Sequence, residues 1–318
     1  MPILTFPRRI AVIGAGISGL SCAQALKHAG LRVNVYEKSR GLGGRLATRR
    51  PFGRDHPLGV DHGAPYAQAD QPSIQDELAA LGALWDEPQL PQNAIVGVPG
   101  MSDLARPLAE GLEVTTGTEI ESIARGDDDT LLRDVTGGVH GPFDAVAVAV
   151  PAPQVGRLLG ADPTGLADAV MAPCWTLLLA FEERLETDLV VAKPEEGPFE
   201  LLVRNSAKAD RSDTYDAGVG HCRPDWSAEH LVEEKEAMAA KLLEAFRQTF
   251  GGEPPAPSYC AAHRWRYARV VKPAGSAYWL SADGALGCCG DWRLGALAGD
   301  AHRSGAMLGR AMAQKLPG

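Results

Sequence analysis

The hydrophobic pattern of the first forty residues alternates strand, helix and strand. Ile10, Ala11, Val12 and Ile13 form a short apolar run suited to a buried parallel strand. Residues 20–28 read as a helix closed by Gly30 as its C-cap, and residues 31–36 as a second strand with Val33 and Val35 inward, ending at Glu37. Further strands are predicted at 113–116 and 119–123 around Gly117, at 144–150 up to Pro151 and Pro153, and at 175–181. Met238, Leu242, Phe246 and Phe250 recur every fourth position, which predicts one helix over 229–250, stopped by Gly251 and Gly252 and followed by a connector at 253–257. Ser73–Asp76 has the form of a capping box for a helix reaching Leu84, and Ser102 is placed to cap another helix. A last helix is expected over 301–310, with Gly305 and Gly309 small enough to let it approach a sheet.

The turn between the first strand and helix carries Gly14, Ala15, Gly16, Ile17, Ser18 and Gly19. Gly14 permits a tight turn, Gly16 lets a pyrophosphate approach the backbone, and Gly19 lets helix and strand pack closely. The helix N-terminus then offers unpaired amides and the positive end of its dipole to phosphates. Glu37 stands about 20 residues on, where an acid binds a ribose diol and repels a 2′-phosphate. A second glycine-rich stretch, Lys38 to Thr48, follows at once and includes Gly44 and Arg45. It is not part of a simple NAD fingerprint, and Arg45 would supply a fixed cation for a phosphate.

These residues resemble the flavin amine-oxidase superfamily, with its glycine turn, ribose acid and GGR loop. Residues 60–66, which include His62, Gly63 and Ala64, look like the segment that lays backbone beside the isoalloxazine. The stretches 263–268 and 290–292 look like C-terminal signatures of bacterial renalase-like flavoproteins, and 173–176 and 144–154 fit the same group. The resemblance implies non-covalent FAD, with Asp291 beside Gly290 on a ribityl hydroxyl and the helix near Ala301 aimed at the flavin N1–C2 edge. It also makes Ile120 a candidate adenine contact, with an ordinary core residue as the alternative. Residues 294–302 depart from the family pattern while keeping Gly295, Gly299 and Asp300, which bears on the substrate more than on FAD.

The resulting fold class is α/β. A Rossmann-type FAD-binding domain is assembled from residues 1–69, 98–155 and 258–318, and a second α+β substrate domain from 70–97 and 156–257. Trp175, His263, Arg264, Trp265 and Tyr267 are candidates for a substrate wall, with plain core packing the alternative for each aromatic. His263 and Trp265, two apart on a strand, face the same side.

Composition narrows the partners. Among 318 residues, 40 acids outnumber 31 Lys and Arg for a net charge of −9, which argues against nucleic-acid binding. No apolar run reaches the roughly 20 residues of a membrane span. Arg8 and Arg9 only superficially suggest a twin-arginine signal. Six scattered cysteines without a CxxC fit a reduced, cytoplasmic chain. No metal is expected, because the pairs Cys260/His263 and His221/Cys222 complete no tetrahedral set. No GxSxG elbow points to a hydrolase. The oligomeric state is left open.

Three functions follow as expectations. The resemblance implies a renalase-like oxidase of 2- and 6-dihydro isomers of NAD(P), yielding β-NAD(P)+ and, with dioxygen, hydrogen peroxide. The alternatives are a flavin-containing amine oxidase and a flavin-bound redox module without turnover.

Overall fold

The computed structural model describes residues 7–53, 55–126, 129–159, 165–250 and 254–316. The strand Arg9–Ile13 (β1) leads through helix Ile17–His28 (α1) to strand Arg32–Glu37 (β2). Both strands belong to a six-stranded sheet whose order is Trp279–Leu280, Leu286–Cys288, Ala145–Val148, β1, β2, Glu113–Thr116. All neighbours are parallel except the edge pair Trp279–Leu280 with Leu286–Cys288. Ile10 faces Val33 on one side and Ala145 on the other, so the chain departs from β1 in both directions. That reversal opens a crevice beyond the strand ends, where α/β sheets bind their ligands. Ile10, Ala11, Val12 and the Ala145–Val148 run are fully buried, as continuous apolar strands covered on both faces must be.

A second, five-stranded antiparallel sheet has the order Val191–Ala192, Phe199–Arg204, Asp216–Cys222, Val170–Phe181, Tyr259–Lys272. Residues 259–272, expected with the nucleotide-binding part, therefore pair along Val170–Phe181 in this other sheet. A small meander, Ile120–Arg125, Thr130–Asp134 and Val139–Phe143, packs on the first sheet through Leu132 and Phe143.

Several local expectations are corrected. The helix predicted over 229–250 is two, Pro224–Glu229 and Lys235–Phe250. Side chains claim the carbonyls between them: the Trp175 indole donates to His230 O, and Arg264 donates to Leu231 O and Glu233 O. Met238, Leu242 and Phe246 are core, as their spacing implies, while Gly251 and Gly252 lie outside the described residues. Ser73 caps nothing: Pro72 opens the helix Pro72–Ala79, and Gln75 instead accepts from Ala69 N and donates to Asn93 O. Residues 83–84 are a short strand. Ser102 sits inside a 3-10 turn, Met101–Ala105, rather than at a cap.

The terminal helix runs from Ala298 to Lys315, so Ala301 lies within its first turn rather than at its start. Asp300, at the third helical position, accepts from Leu297 N and closes the end earlier than expected. Gly305 and Gly309 let this helix approach α1, not the sheet. A Cβ on Gly305 would stand 1.9 Å from Ser18 O, and one on Gly309 2.5 Å from Cys22 O. Gly305→Ala is expected to cost about 1–3 kcal/mol by forcing the two helices apart, read as a lowered urea midpoint at unchanged slope. Across the same junction, Ser21 Oγ and His302 Nδ1 lie 2.7 Å apart, and His302 Nε2 lies 2.6 Å from Glu77. Ser21 is 3% exposed, so this row of three clamps helices and is no nucleophile.

Candidate functional site

The crevice above β1 opens into a cleft of about 2330 Å3 running between the two sheets. Single small-ligand pockets are roughly 300–1,000 Å3, so this one has room for a dinucleotide and a second molecule. Gly14 turns the chain with φ +104°, donating its N–H to Tyr36 O, and a Cβ there would meet Ala149 O at 2.5 Å. At Gly16 a Cβ would meet nothing within 4 Å, so bare backbone faces the cleft. Gly19 does the packing: its Cβ would stand 1.9 Å from Gly14 O. The first turn of α1 carries no side-chain cap and no acid. Beside it, Ser18 Oγ is buried in the cleft wall with no hydrogen-bond partner among the described residues. An uncapped, acid-free helix end with an orphan hydroxyl fits the diphosphate of FAD.

Glu37, 6% exposed, lines the same wall. Its two oxygens each accept a backbone N–H at 2.8 Å, from Ala15 and Ser39, which ties the glycine turn to the end of β2. Each oxygen keeps a second lone pair for a ribose hydroxyl. The second glycine loop lies directly on the first: Gly43 N donates to Ala15 O, and Gly16 and Gly43 form a parallel backbone bridge. Glu37→Gln turns one acceptor into a donor against an amide. Losing a hydrogen bond to a charged group, worth about 1.5–3 kcal/mol, is expected to weaken FAD at least tenfold in a fluorescence titration of apoprotein.

Arg45 and Asp291, expected on a phosphate and on a ribityl hydroxyl, are each other's partners. The guanidinium donates to both carboxylate oxygens at 2.7 Å and to Ala268 O at 3.2 Å. The pair pins the N-terminal loop to the C-terminal segment at the cleft wall. Lys38, Gly44, His62, Gly63, Ala64, Ile120, Gly290 and Ala301 line the cleft with Ile17 and Ser18; Ala15 and Gly19 stand behind it. Ile120 is also core, packed with Leu132 and Phe143.

The far end of the cleft is floored by the second sheet. His263, Arg264, Trp265 and Tyr267 line it, but Trp175 does not. Trp175 is fully buried against the helix Pro224–Glu229, its backbone N–H donating to Ser227 Oγ, with the Arg264 guanidinium 5.4 Å from its ring centre. Strand alternation puts it on the opposite face from Cys174 and Thr176. His221 was missed as a cleft residue. It and His263 both pair with Thr176, one from each side, and so share a row across three strands. His62 packs edge-on against His263 with centroids 4.8 Å apart and lies stacked with Trp265 at 5.4 Å. The Trp265 indole N–H donates to His62 O. Burial, reinforced by His263 and Arg49, holds the His62 pKa down at about 3. Burial with Lys208 and Arg269 does the same to His221, to about 3. Burial with Arg49 and Lys235 lowers His263 to about 4. All three rings are neutral at pH 7.

Beneath the 60–66 loop is a second feature the sequence did not announce. Asp61 accepts from Lys208 Nζ at 3.0 Å, Arg211 at 2.8 Å, Thr48 Oγ1 at 2.6 Å and Met101 N at 2.9 Å. Burial alone would raise its pKa, but the two cations overcome that and hold it well below the usual carboxylate range.

A model of an NAD(P)-binding Rossmann-like domain matches residues 12–81, and a model of flavin containing amine oxidoreductase matches residues 67–280, more than half of the chain. The chain belongs to the flavin containing amine oxidoreductase family. FAD is its cofactor. Over 84 residues the chain is 38% identical to protoporphyrinogen oxidase 2 of Arabidopsis thaliana, covering 26% of this chain and 16% of that one. Over 76 residues it is 38% identical to hydroxysqualene dehydroxylase of Sinorhizobium fredii, covering 24% and 18%. The chain thus matches less than a fifth of the length of these curated relatives. Among solved structures, a protein assigned as a protoporphyrinogen oxidase from Exiguobacterium sp. 255-15 aligns over 98% of this chain and 100% of its own, with TM-score 0.71 and 14% identity. Cyclohexylamine oxidase from Brevibacterium oxydans aligns over 98% and 100%, with TM-score 0.63 and 14% identity. At that identity the likeness is one of fold. Neither Cys288 nor Cys289 lines the cleft, and burial, reinforced by Cys289, pushes the Cys288 thiol up to about 12. No helix among the described residues is long and apolar enough to cross a membrane.

Proposed function

We propose that this flavoprotein is a renalase-like oxidase, converting 2- and 6-dihydro isomers of NAD(P) to β-NAD(P)+ with dioxygen as acceptor. The observation that carries the reading is the charge of the cleft. In a chain of net charge −9, its lining has eleven Lys or Arg side chains and four carboxylates. Those at the far end, including Arg49, Lys235 and Arg266, lie beyond the glycine turn that fits the cofactor's diphosphate. Cations at a cleft focus potential on anionic ligands. That favours a substrate bearing its own diphosphate over a cationic amine.

FAD, when bound, would supply a hydride acceptor and pass the electron pair, with a proton from water, to dioxygen, giving hydrogen peroxide. The chain's task is alignment. Loss of hydride from a dihydropyridine yields an aromatic cation and no proton, so the site needs a stacking surface and fixed phosphates more than a base. Trp265 and Tyr267 supply flat surface, and the Arg45–Asp291 pair holds the two cleft walls in register. Anaerobic titration of the holoenzyme with each dihydro isomer is expected to bleach the flavin within one turnover. Indifference to both isomers discards the reading.

The family match favours a second reading, oxidation of a primary or secondary amine. There the substrate would bind as the neutral amine, because histidines held down at about 3 and 4 do not take a proton from an ammonium. Oxygen uptake with amines, and none with dihydronicotinamides, would establish it.

A further inference from the structure

Two ring nitrogens on the cleft floor lack a hydrogen bond of normal geometry among the described residues. His62 Nδ1 and His221 Nε2 are buried in the cleft lining without a hydrogen-bond partner among the described residues. A native fold rarely leaves such atoms unpaired unless something else comes to meet them. His62 is 5% exposed and fixed: Trp265 and His263 grip its ring from two sides, and its carbonyl takes the Trp265 indole N–H. His221 is fixed by the sheet, across Thr176 from His263.

We propose that His62 and His221 form an uncharged donor–acceptor pair that recognises a primary carboxamide on the substrate, a proposal that rests on the dihydronicotinamide reading of the same cleft. A neutral imidazole has one N–H donor and one acceptor nitrogen, and its tautomer follows whatever it meets. Two such rings in a desolvated wall match an uncharged group that carries both an N–H and a C=O. An ammonium would be repelled there by Arg49, Lys208 and Arg269. The two rings then set which way the pyridine ring lies against Trp265, and with it which ring carbon is presented for oxidation. Both are specificity-determining residues, touching the substrate without exchanging a proton with it.

The test is a binding titration of the holoenzyme, followed by perturbation of the flavin spectrum, with β-NAD+ and with its 3-acetylpyridine analogue. The analogue has a methyl ketone in place of the carboxamide, so it keeps the acceptor and loses the donor. A site built to hydrogen-bond a group discriminates strongly against the analogue lacking it. The parent is expected to bind β-NAD+ at least tenfold more tightly. His221→Leu should bring the two affinities within about twofold, and His221→Gln, which keeps a donor and an acceptor, should restore much of the difference. Equal affinities in a parent enzyme that still oxidises the dihydro isomers overturn the proposal and leave the function standing. If neither dinucleotide binds and neither isomer reduces the flavin, the function falls, and the carboxamide pair with it.

Discussion

An Asp61→Asn chain is expected to unfold about 3–5 kcal/mol more easily than its parent and to purify with little flavin. That is the usual cost of removing one partner from a buried ion pair and stranding the other. Here two cations are stranded, Lys208 and Arg211, with side chains 0% and 3% exposed. Neither can reach water without moving the segment that carries it. Lys208 also lies 5.6 Å from the centre of the Trp85 ring, so its displacement disturbs the apolar cluster behind the cleft. Asp61 further holds Thr48 and the Met101 amide, and His62 is the next residue in the chain. Its loss therefore reaches the cleft wall directly. Urea unfolding gives the first number and the ratio of flavin to protein absorbance the second. An unchanged midpoint would show that the three charges contribute nothing net.

The second large effect is acid sensitivity. His62 and His221 titrate at about 3 in the folded chain, against about 6.5 when unfolded. Between those values the unfolded chain binds more protons, so stability falls as pH drops below about 6.5 and the loss levels off below about 3. Two such groups, each worth about 1.4 kcal/mol per pH unit, give a slope approaching 3 kcal/mol per pH unit between roughly pH 5.5 and 4. His263 adds a smaller share because it is only partly buried. Asp61, whose folded pKa is depressed, acts in the same direction below about pH 4, where the unfolded chain's carboxylate takes up a proton that the folded one does not. Urea midpoints across pH 7 to 4.5 should show the fall, and His221→Leu should remove about half of the slope. A flat profile would mean the rings are hydrated in the folded protein.

The cofactor cradle was legible because its demands are local. Gly14 needs a positive φ and Gly19 needs no side chain, and both needs are met within six residues of chain. The pairing of Arg45 with Asp291 spans 246 positions, and either residue alone looks like a ligand for something else. Trp175 and Trp265 stand equally well on strands, and only the topology decides which face a helix covers. The 229–250 helix failed on similar grounds. Its spacing was right, but Trp175 and Arg264, far away in sequence, competed for the carbonyls at its N-terminal end. Residues 259–272 read as part of the nucleotide-binding domain, yet their strand belongs to the other sheet, because the cleft is built from both. His221 drew notice only beside Cys222 as a metal pair, since nothing local marks a residue whose neighbours arrive from two other strands.

The junction at Gly305 and Gly309 bears on biosynthesis. Domains generally begin folding from their N-terminal end while the chain is still being made. Here the glycine turn leaves the ribosome long before the helix that backs α1. A nascent chain therefore displays a nucleotide motif long before it owns a nucleotide site, and loading with flavin has to wait for that helix.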